Sequence, residues 1–121
     1  MGTESAVTTA GASTILIVDV GNFAVLKDNI ITDNYAASVG ARVFIDEGAS
    51  ATMTNNLVVR NTGPENMNGG AGVYVDGDTN VGSSLTMVNC TVADNGGESL
   101  VGGNVIMVEN RSTVTARDCV F

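Results

Sequence analysis

Histidine is absent from this chain of 121 residues, and aromatic residues make up only 4% of it. Without histidine, the usual base that activates a serine or cysteine nucleophile is missing. A CxxC pair, a GxxxxGK phosphate loop and a GxSxG elbow are absent as well. The sequence therefore offers no starting point for nucleophilic, zinc or nucleotide chemistry.

Basic residues are also scarce in the sequence. Five Lys and Arg stand against thirteen Asp and Glu, which gives a net charge of −8 at pH 7. A negative charge of this size opposes approach to nucleic-acid phosphates and to anionic lipid. We therefore expect no nucleic-acid partner. The same charge favours solubility, and it favours cations or basic partners.

Long apolar runs are missing too. No stretch approaches the roughly twenty apolar residues that cross a bilayer, so we expect no membrane insertion. Residues 1–10 lack the basic start and apolar centre of a signal peptide. A signal removed by processing would leave the same beginning, so the compartment stays open, and two cysteines do not settle it.

The chain consists instead of short bursts of Val, Ile, Leu and Met separated by Gly, Asn, Asp, Ser and Thr. This pattern is typical of strands and turns, and it lacks the periodicity of helices. The length fits one domain. We expect residues 1–12 to be an N-terminal segment or cap and residues 13–121 to form the domain.

Three series of such segments recur in the same order, on a period of about thirty residues. They predict four coils, over residues 13–39, 40–69, 70–101 and 102–121, with insertions at 62–68 and 77–82. The first series is 13–18, 40–45, 70–75 and 102–107; the second is 23–26, 50–53, 83–86 and 112–115; the third is 27–34, 54–61, 87–94 and 116–121.

The turns between these segments are too short for crossover helices, so each strand must stack in parallel on its own copies, with about 4.8 Å between coils. The sequence thus predicts an all-β fold, a short parallel β-helix of about four coils with three strands per coil. The glycine-rich segment before Val73 and Tyr74, and the run from Leu85 to Asn95, resemble right-handed β-helix repeats of the pectate-lyase-like superfamily, including those of polymorphic outer-membrane proteins. The resemblance covers nearly the whole chain, implies this fold and a secreted or cell-surface location, and specifies no activity.

Stacking predicts columns of like side chains. One inward column should contain Ile30, Leu57, Cys90 and Cys119. The two cysteines then become neighbours, and because stacked Cβ vectors suit the S–S torsion poorly, reduced core thiols are favoured over a disulfide. Amides stacked at a bend hydrogen-bond along the column. The predicted structural ladders are Asn29, Asn56, Asn89 and Asp118 at one bend, and Asn34, Asn61 and Asp94 at the next.

An apolar stripe is predicted on the outer side of the first series. A strand that is apolar on both sides is normally covered on both sides, and an exposed stripe indicates a contact surface. The cover could be residues 3–12, a second copy of the chain, or a carbohydrate stacked on aromatic rings. The predicted stripe consists of Ile17, Phe44, Tyr74 and Ile106.

An acidic ridge is predicted directly after the same series. Neighbouring carboxylates repel one another, and a bound cation or a raised pKa relieves the repulsion. Three interpretations stay open: solvated turn carboxylates, a Ca²⁺ site built from hard oxygen ligands, and an acid/base pair. The loop 76–80 has suitable ligands but lacks the spacing of an EF-hand. The ridge comprises Asp19, Asp46 and Asp76 at equivalent positions, with Glu47, Asp78 and Glu109 close by.

The leading functional hypothesis is a non-catalytic β-solenoid, a structural or protein-interaction module that forms a homo-oligomer through the apolar stripe or the open coil ends. The alternative is a carbohydrate-binding or polysaccharide-cleaving β-helix that uses the acidic ridge. Ice binding would require an outward threonine array, and the alignment above does not bring Thr52, Thr86 and Thr115 into one register. Mimicry of DNA is disfavoured because the five-residue period of pentapeptide solenoids is absent.

Overall fold

The computed structural model describes residues 15–35, 43–63, 72–97 and 105–121. The predicted N-terminal segment 1–12 and most of the predicted insertion 62–68 lie outside these ranges. In the part described, thirteen short strands are joined by turns, and no helix is long and apolar enough to cross a membrane. The strands in chain order are β1 (Ile15–Ile17), β2 (Phe23–Lys27), β3 (Ile30–Thr32), β4 (Val43–Ile45), β5 (Ser50–Thr54), β6 (Leu57–Val59), β7 (Thr62–Gly63), β8 (Val73–Val75), β9 (Ser84–Val88), β10 (Thr91–Ala93), β11 (Gly96–Gly97), β12 (Ile106–Val108) and β13 (Thr113–Arg117).

These strands form three main sheets in which every pairing is parallel. Sheet 1 has the order β1-β4-β8-β12, sheet 2 the order β2-β5-β9-β13, and sheet 3 the order β3-β6-β10. A short pair, β7 with β11, follows sheet 3 and is extended by a bridge from Tyr35 to Thr62. Each strand pairs with its equivalent one coil away, so the fold is a parallel β-helix of about four coils, as predicted. The short fourth position in the coil was not predicted.

Polar residues with left-handed backbone conformation make the sharp bend between sheets 2 and 3. Asp28, Asn55, Asn89 and Asp118 all have φ between 52° and 59°. Asn and Asp tolerate this region better than most residues because their short side chains bond locally to the backbone. One such residue per coil is enough to turn the chain, so the bend recurs at the same place in all four coils.

Columns of aliphatic side chains fill the space between the sheets. Full burial of one Val, Leu, Ile or Met side chain stabilises the fold by roughly 1.5–3 kcal/mol. In sheet 2 the inward positions alternate with outward ones, as expected for a half-buried strand. The most buried columns are Ile17, Ile45 and Val75 in sheet 1; Ala24, Ala51 and Leu85, then Leu26, Met53 and Met87, in sheet 2; and Ile31, Val58 and Val92 in sheet 3.

The wider turn between β8 and β9 corresponds to the insertion predicted at 77–82. Asp78 Oδ1 accepts hydrogen bonds from the backbone of Asn80 (2.5 Å) and Val81 (2.8 Å), and Val81 O accepts from Asp78 N (2.9 Å). A Cβ atom at Gly77 or Gly82 would collide with backbone carbonyls of the next coil. Glycine is therefore needed where this loop presses on its neighbour.

The observed register differs from the prediction by one residue in several coils. In sheet 1 the prediction was correct for the two middle coils, whereas Ile17, and not Val18, pairs with Ile45. In sheet 2, Phe23 pairs with Ser50, Ser50 with Ser84, and Ser84 with Thr113, whereas the prediction placed Ser83 and Ser112 in this column. A slip of one residue moves every side chain to the opposite face, so these shifts change the predicted sites.

Candidate functional site

The outward apolar column of sheet 1 contains only part of the predicted stripe. Phe44 and Tyr74 occupy it, and their rings stack with centroids 4.7 Å apart at an interplanar angle of 3°. Ile17 belongs to the core, with 1% of its surface exposed, and Ile106 pairs with the inward Val73. The prediction was wrong for these two residues because consecutive aliphatic residues at 15–18 and 105–108 leave the register ambiguous. The column observed is Leu16, Phe44, Tyr74 and Met107.

This column is a poor platform for a sugar ring. Tyr74 is only 6% exposed, and one face of its ring is covered by Phe44. Its hydroxyl lies 2.5 Å from Glu109 Oε2 and 3.0 Å from Asp76 Oδ2, so two carboxylates share the same proton donor. Burial and these two hydrogen bonds raise the pKa of the Tyr74 hydroxyl, which stays protonated.

The acidic ridge separates into two columns. Asp46, Asp76 and Glu109 follow the ends of β4, β8 and β12, and each backbone N–H donates to the strand one coil earlier. The predicted equivalence of Asp19 with Asp46 and Asp76 is wrong, because Val18 takes that place in the first coil. Asp19 lies in the adjacent column with Glu47, and Asp78 lies in the inserted loop.

Donors within the protein already engage the middle of the ridge. Asp76 Oδ1 accepts hydrogen bonds of 2.8 Å from both Gly77 N and Asn110 Nδ2. Partial burial raises the pKa of Asp46, and the negative charges of Asp76 and Asp78 add to the effect. A hydrogen bond to Asp19 and the charge of Asp46 raise the pKa of Glu47. Local hydrogen bonds therefore stabilise Asp76, whereas the repulsion within the ridge contributes to the raised pKa of Asp46 and of Glu47.

The described residues include all six acidic residues of the ridge. Among them, no group of three acidic, histidine or cysteine side chains is placed to hold a metal ion. The predicted Ca²⁺ site therefore receives no support from the geometry of the ridge.

The first ladder lies at the bend between sheets 2 and 3. Asn56 Oδ1 accepts from Asn29 N (3.0 Å) and Asn29 Nδ2 (2.9 Å), while Asn56 Nδ2 donates to Leu26 O (2.7 Å) and Thr54 O (3.2 Å). Asn56 is 2% exposed, so its amide satisfies backbone groups that water does not reach.

Thiols continue this ladder in the last two coils. Leu57 pairs with Thr91, and Thr91 with Val120, which places Cys90 and Cys119 in line with Asn56. The predicted members Asn89 and Asp118 lie one residue earlier, in the exposed left-handed column with Asp28 and Asn55. The prediction failed because asparagine suits both positions. Ile30 was predicted to point inward, but in the observed register it points outward and is 71% exposed.

The second ladder consists of Asn34, Asn61 and Asn95. Asn61 Oδ1 accepts from Asn34 Nδ2 (2.9 Å), and Asn95 Oδ1 accepts from Asn61 N (3.0 Å) and Asn61 Nδ2 (2.8 Å). The predicted member Asp94 is exposed and has a φ of 52°, so it forms the bend and does not join the ladder. Asn95 was missed, although its distance from the strand Thr91–Ala93 equals that of Asn61 from Leu57–Val59.

A surface that the sequence analysis did not select lies on the outer side of sheet 2. Thr52 pairs with Thr86, and Thr86 with Thr115, so these three threonines share one column, contrary to the prediction. Ser84 Oγ donates to Ser50 Oγ (2.9 Å) in the neighbouring column. No outward position of the sheet carries an acidic residue. We call this surface the hydroxyl face; its columns are Phe23, Ser50, Ser84 and Thr113; Val25, Thr52, Thr86 and Thr115; and Lys27, Thr54, Val88 and Arg117.

Comparison with protein families gives a match to the family described as the right-handed β-helix region, over residues 3–121. The chain belongs to that family. Comparison with curated proteins and with solved structures yields no match. The family establishes the architecture of this right-handed β-helix, whereas its activity has to be argued from its own surfaces.

A shallow depression of about 360 Å³ lies beside the hydroxyl face of the β-helix, at the bend into sheet 3. Four of its six polar side chains are already engaged, since Asn55 Nδ2 donates to Asp28 Oδ1 (2.7 Å) and Asn29 and Asn56 belong to the ladder. The depression therefore offers few free donors or acceptors to a ligand.

Proposed function

We propose that this β-helix is a non-catalytic interaction module that associates with a second copy of itself through the hydroxyl face. The observation that carries the proposal is the charge distribution. The chain has a net charge of −8, yet the outward positions of all four strands of sheet 2 contain no acidic residue. The face also carries Lys27 and Arg117, so two copies repel each other less when these faces meet than when their acidic turns meet.

Acidic residues border the hydroxyl face on both sides. The turn that leads into sheet 2 contains Asp46, Asp76 and Glu109, and the bend that leaves it contains Asp28 and Asp118. Repulsion between the acidic rows of two copies limits their contact to the hydroxyl face. We expect the association to strengthen as salt screens the bordering charges, because the Debye length falls to about 8 Å at physiological ionic strength.

The face also has the composition of a sheet contact. Val25 is 55% exposed and Phe23 is 38% exposed, and threonine methyl groups continue the apolar surface across the other coils. Two sheets pack about 10 Å apart when their outward side chains interdigitate. Four strands of five residues span about 17 by 14 Å, which places the interface at the small, transient end of the range. Association should therefore be reversible and dependent on concentration.

The remaining surfaces support a role without catalysis. The carboxylates of the ridge are bound to Tyr74, Asn110 and backbone N–H groups, and Tyr74 is too buried to stack on a sugar. The carbohydrate hypothesis combined the acidic ridge with an accessible Tyr74, and the burial of Tyr74 removes the second of these supports.

Sedimentation velocity over a wide range of protein concentration tests the proposal. We expect reversible dimers of the native chain at high concentration, and monomers of the variants Thr52→Glu and Thr86→Glu, which place a charge at the centre of the face. Thr79→Glu adds the same charge at an exposed position in the loop 76–83 and should leave association unchanged. A native chain that stays monomeric into the millimolar range, or equal loss of dimers in the Thr79→Glu variant, contradicts the proposal.

A second candidate function is ice binding, which the alignment of Thr52, Thr86 and Thr115 favours. Their column repeats at the strand spacing of about 4.8 Å, and outward residues repeat at about 6.6 Å along each strand. A surface that presents hydroxyl and methyl groups on such a grid can order water in a lattice. Inhibition of ice recrystallisation tests this: activity that is present in the native chain and in Thr79→Glu but absent in Thr86→Glu supports ice binding, and no activity in the native chain removes it.

A further inference from the structure

The two cysteines of the chain are both free and lie on consecutive coils. Cys90 is buried, and Cys119 is partly buried against the hydrophobic core. Cys90 N donates a hydrogen bond to Cys119 Sγ at 3.4 Å, in the way that Asn29 N donates to the side chain of Asn56. This hydrogen bond and the packing around both side chains therefore hold the two thiols in a defined position.

The two side chains adopt equivalent orientations. Cys90 Sγ lies 3.4 Å from Val88 O, and Cys119 Sγ lies 3.3 Å from Arg117 O, so each sulfur contacts the carbonyl two residues earlier in its own coil. Because equivalent atoms on paired strands repeat at the strand spacing, the two sulfurs are separated by about 4.8 Å. Both point in the same direction from their coils.

This arrangement opposes a disulfide and suits a bridging metal ion. A disulfide requires sulfurs about 2.05 Å apart, with a torsion near 90°. A metal–thiolate bond is about 2.3 Å long for zinc, so two such bonds in line span nearly the separation of the stacked sulfurs. Thiolates select soft ions such as Cu(I). Two-coordinate, linear bonding is a common preference of monovalent d¹⁰ ions.

We propose that Cys90 and Cys119 form a two-coordinate site for a soft monovalent d¹⁰ cation, of which Cu(I) is the physiological example. Binding of one ion forms two metal–sulfur bonds and releases the two thiol protons to solvent, with no change of oxidation state. Cys90 N–H keeps its hydrogen bond to Cys119 Sγ, which strengthens when that sulfur carries negative charge. The inference is independent of the hydroxyl face, which lies on the outer side of sheet 2.

Anaerobic titration of the reduced chain with Cu(I), buffered by a competing chelator, measures affinity, and native mass spectrometry measures stoichiometry. We expect one ion per chain. Loss of either ligand, in Cys90→Asn or Cys119→Asn, should lower affinity by more than about 100-fold, since even removal of outer-shell partners costs 10–100-fold. Asparagine is the residue that the first two coils use at this position, so these variants preserve the ladder chemistry, and circular dichroism verifies their folding.

Alkylation of the native chain provides a readout that needs no variant. One bound Cu(I) should protect the partly exposed Cys119 from iodoacetamide under native conditions, and this protection should be lost when the chelator removes the ion. Binding of two ions per chain, undiminished affinity in either single variant, or alkylation of Cys119 at the same rate with and without Cu(I) would overturn the proposal. Rapid, complete disulfide formation in the folded chain with diamide would also overturn it, because the sulfurs would then not be held apart.

Discussion

The bend between sheets 2 and 3 is lined by amides in the first two coils and by thiols in the last two. The amides make hydrogen bonds of 2.7–3.2 Å between Asn29, Asn56 and nearby carbonyls. The thiols of Cys90 and Cys119 make contacts of 3.3–3.5 Å to the equivalent backbone groups. At this position, the asparagine side chains of the first two coils form strong hydrogen bonds. The cysteine side chains of the last two coils behave as small hydrophobic groups and make only weak polar contacts.

This difference shows which element determines the bend. The left-handed residue one position earlier, Asn55 or Asn89, is present in every coil, whereas the ladder residue changes from Asn to Cys. The backbone conformation therefore fixes the direction of the chain. The ladder residue needs only to be small enough for the corner and able to contact the carbonyls that the corner exposes.

Substitution of Asn56 by Leu should have the largest effect. It leaves Asn29 N without an acceptor and places a branched aliphatic group in a corner shaped for an amide. Unsatisfied buried groups cost about 1–3 kcal/mol each, so we expect the free energy of unfolding to fall by roughly 2–4 kcal/mol. Urea denaturation measures the change. Thr79→Leu, on the exposed loop, should stay within about 0.5 kcal/mol of the native chain; a similar loss in both variants would contradict the role of the ladder.

Truncation of Cys90 to Ala should destabilise less. It removes one buried sulfur whose polar contacts are long, and leaves a small cavity beside Met53, so a loss of about 1–2 kcal/mol is expected. Cys90→Asn extends the amide ladder by one coil and should keep stability within about 1 kcal/mol of the native value. Denaturation of both variants in parallel checks the comparison. If the Asn variant were the less stable of the two, the corner would not accept an amide in the third coil.

Substitution of Asn89 should have a small effect whose size depends on the new residue. At a φ of 52°, Ala is strained and should cost about 1 kcal/mol, whereas Gly should be nearly neutral. At Asn56, Gly should be as harmful as any other residue, because the amide is lost. Thermal melts of Asn89→Gly and Asn56→Gly separate the two positions. Equal destabilisation would return Asn89 to the ladder, where the sequence alone had placed it.

The sequence was sufficient for the stack of parallel coils but insufficient for its register. The period of about thirty residues and the short turns exclude most other folds, so sheets 1 to 3 could be predicted. The predicted register depended on matching like residues. It aligned Ser50 with Ser83, whereas Ser50 pairs with Ser84 in the structure. Ser83 is a buried turn residue whose hydroxyl accepts from Gly48 N at 3.0 Å, so serine is favoured at both positions.

This slip of one residue explains most of the errors at the candidate sites. It separated Thr52 from Thr86, and it placed Asn89 in the position that Cys90 occupies. Adjacent residues of similar chemistry carry no information that distinguishes the inside from the outside of a strand. Only the backbone pairing resolves them. The prediction that Cys90 and Cys119 are neighbours was correct because the register error precedes both residues. Their alignment with each other was therefore unaffected.

Substitution of a stacked carboxylate should have the smallest effect on stability. Its sign should be opposite to that of substituting a stacked amide. The folded-state pKa of Asp46 is raised above its ordinary value by partial burial and by the charges of Asp76 and Asp78. A carboxyl group of this kind binds its proton more tightly in the folded chain, so stability should increase as the pH falls from neutral through the folded-state pKa. Asp46→Asn removes the charge and should flatten this part of the profile, measured by melts between neutral pH and the acidic range.

Asp78→Asn is the matched control: backbone hydrogen bonds from Asn80 and Val81 lower the pKa of Asp78, so its loss should act in the opposite direction. A native profile that falls steadily with acid, unaltered in Asp46→Asn, would show that stacking of carboxylates costs this fold nothing.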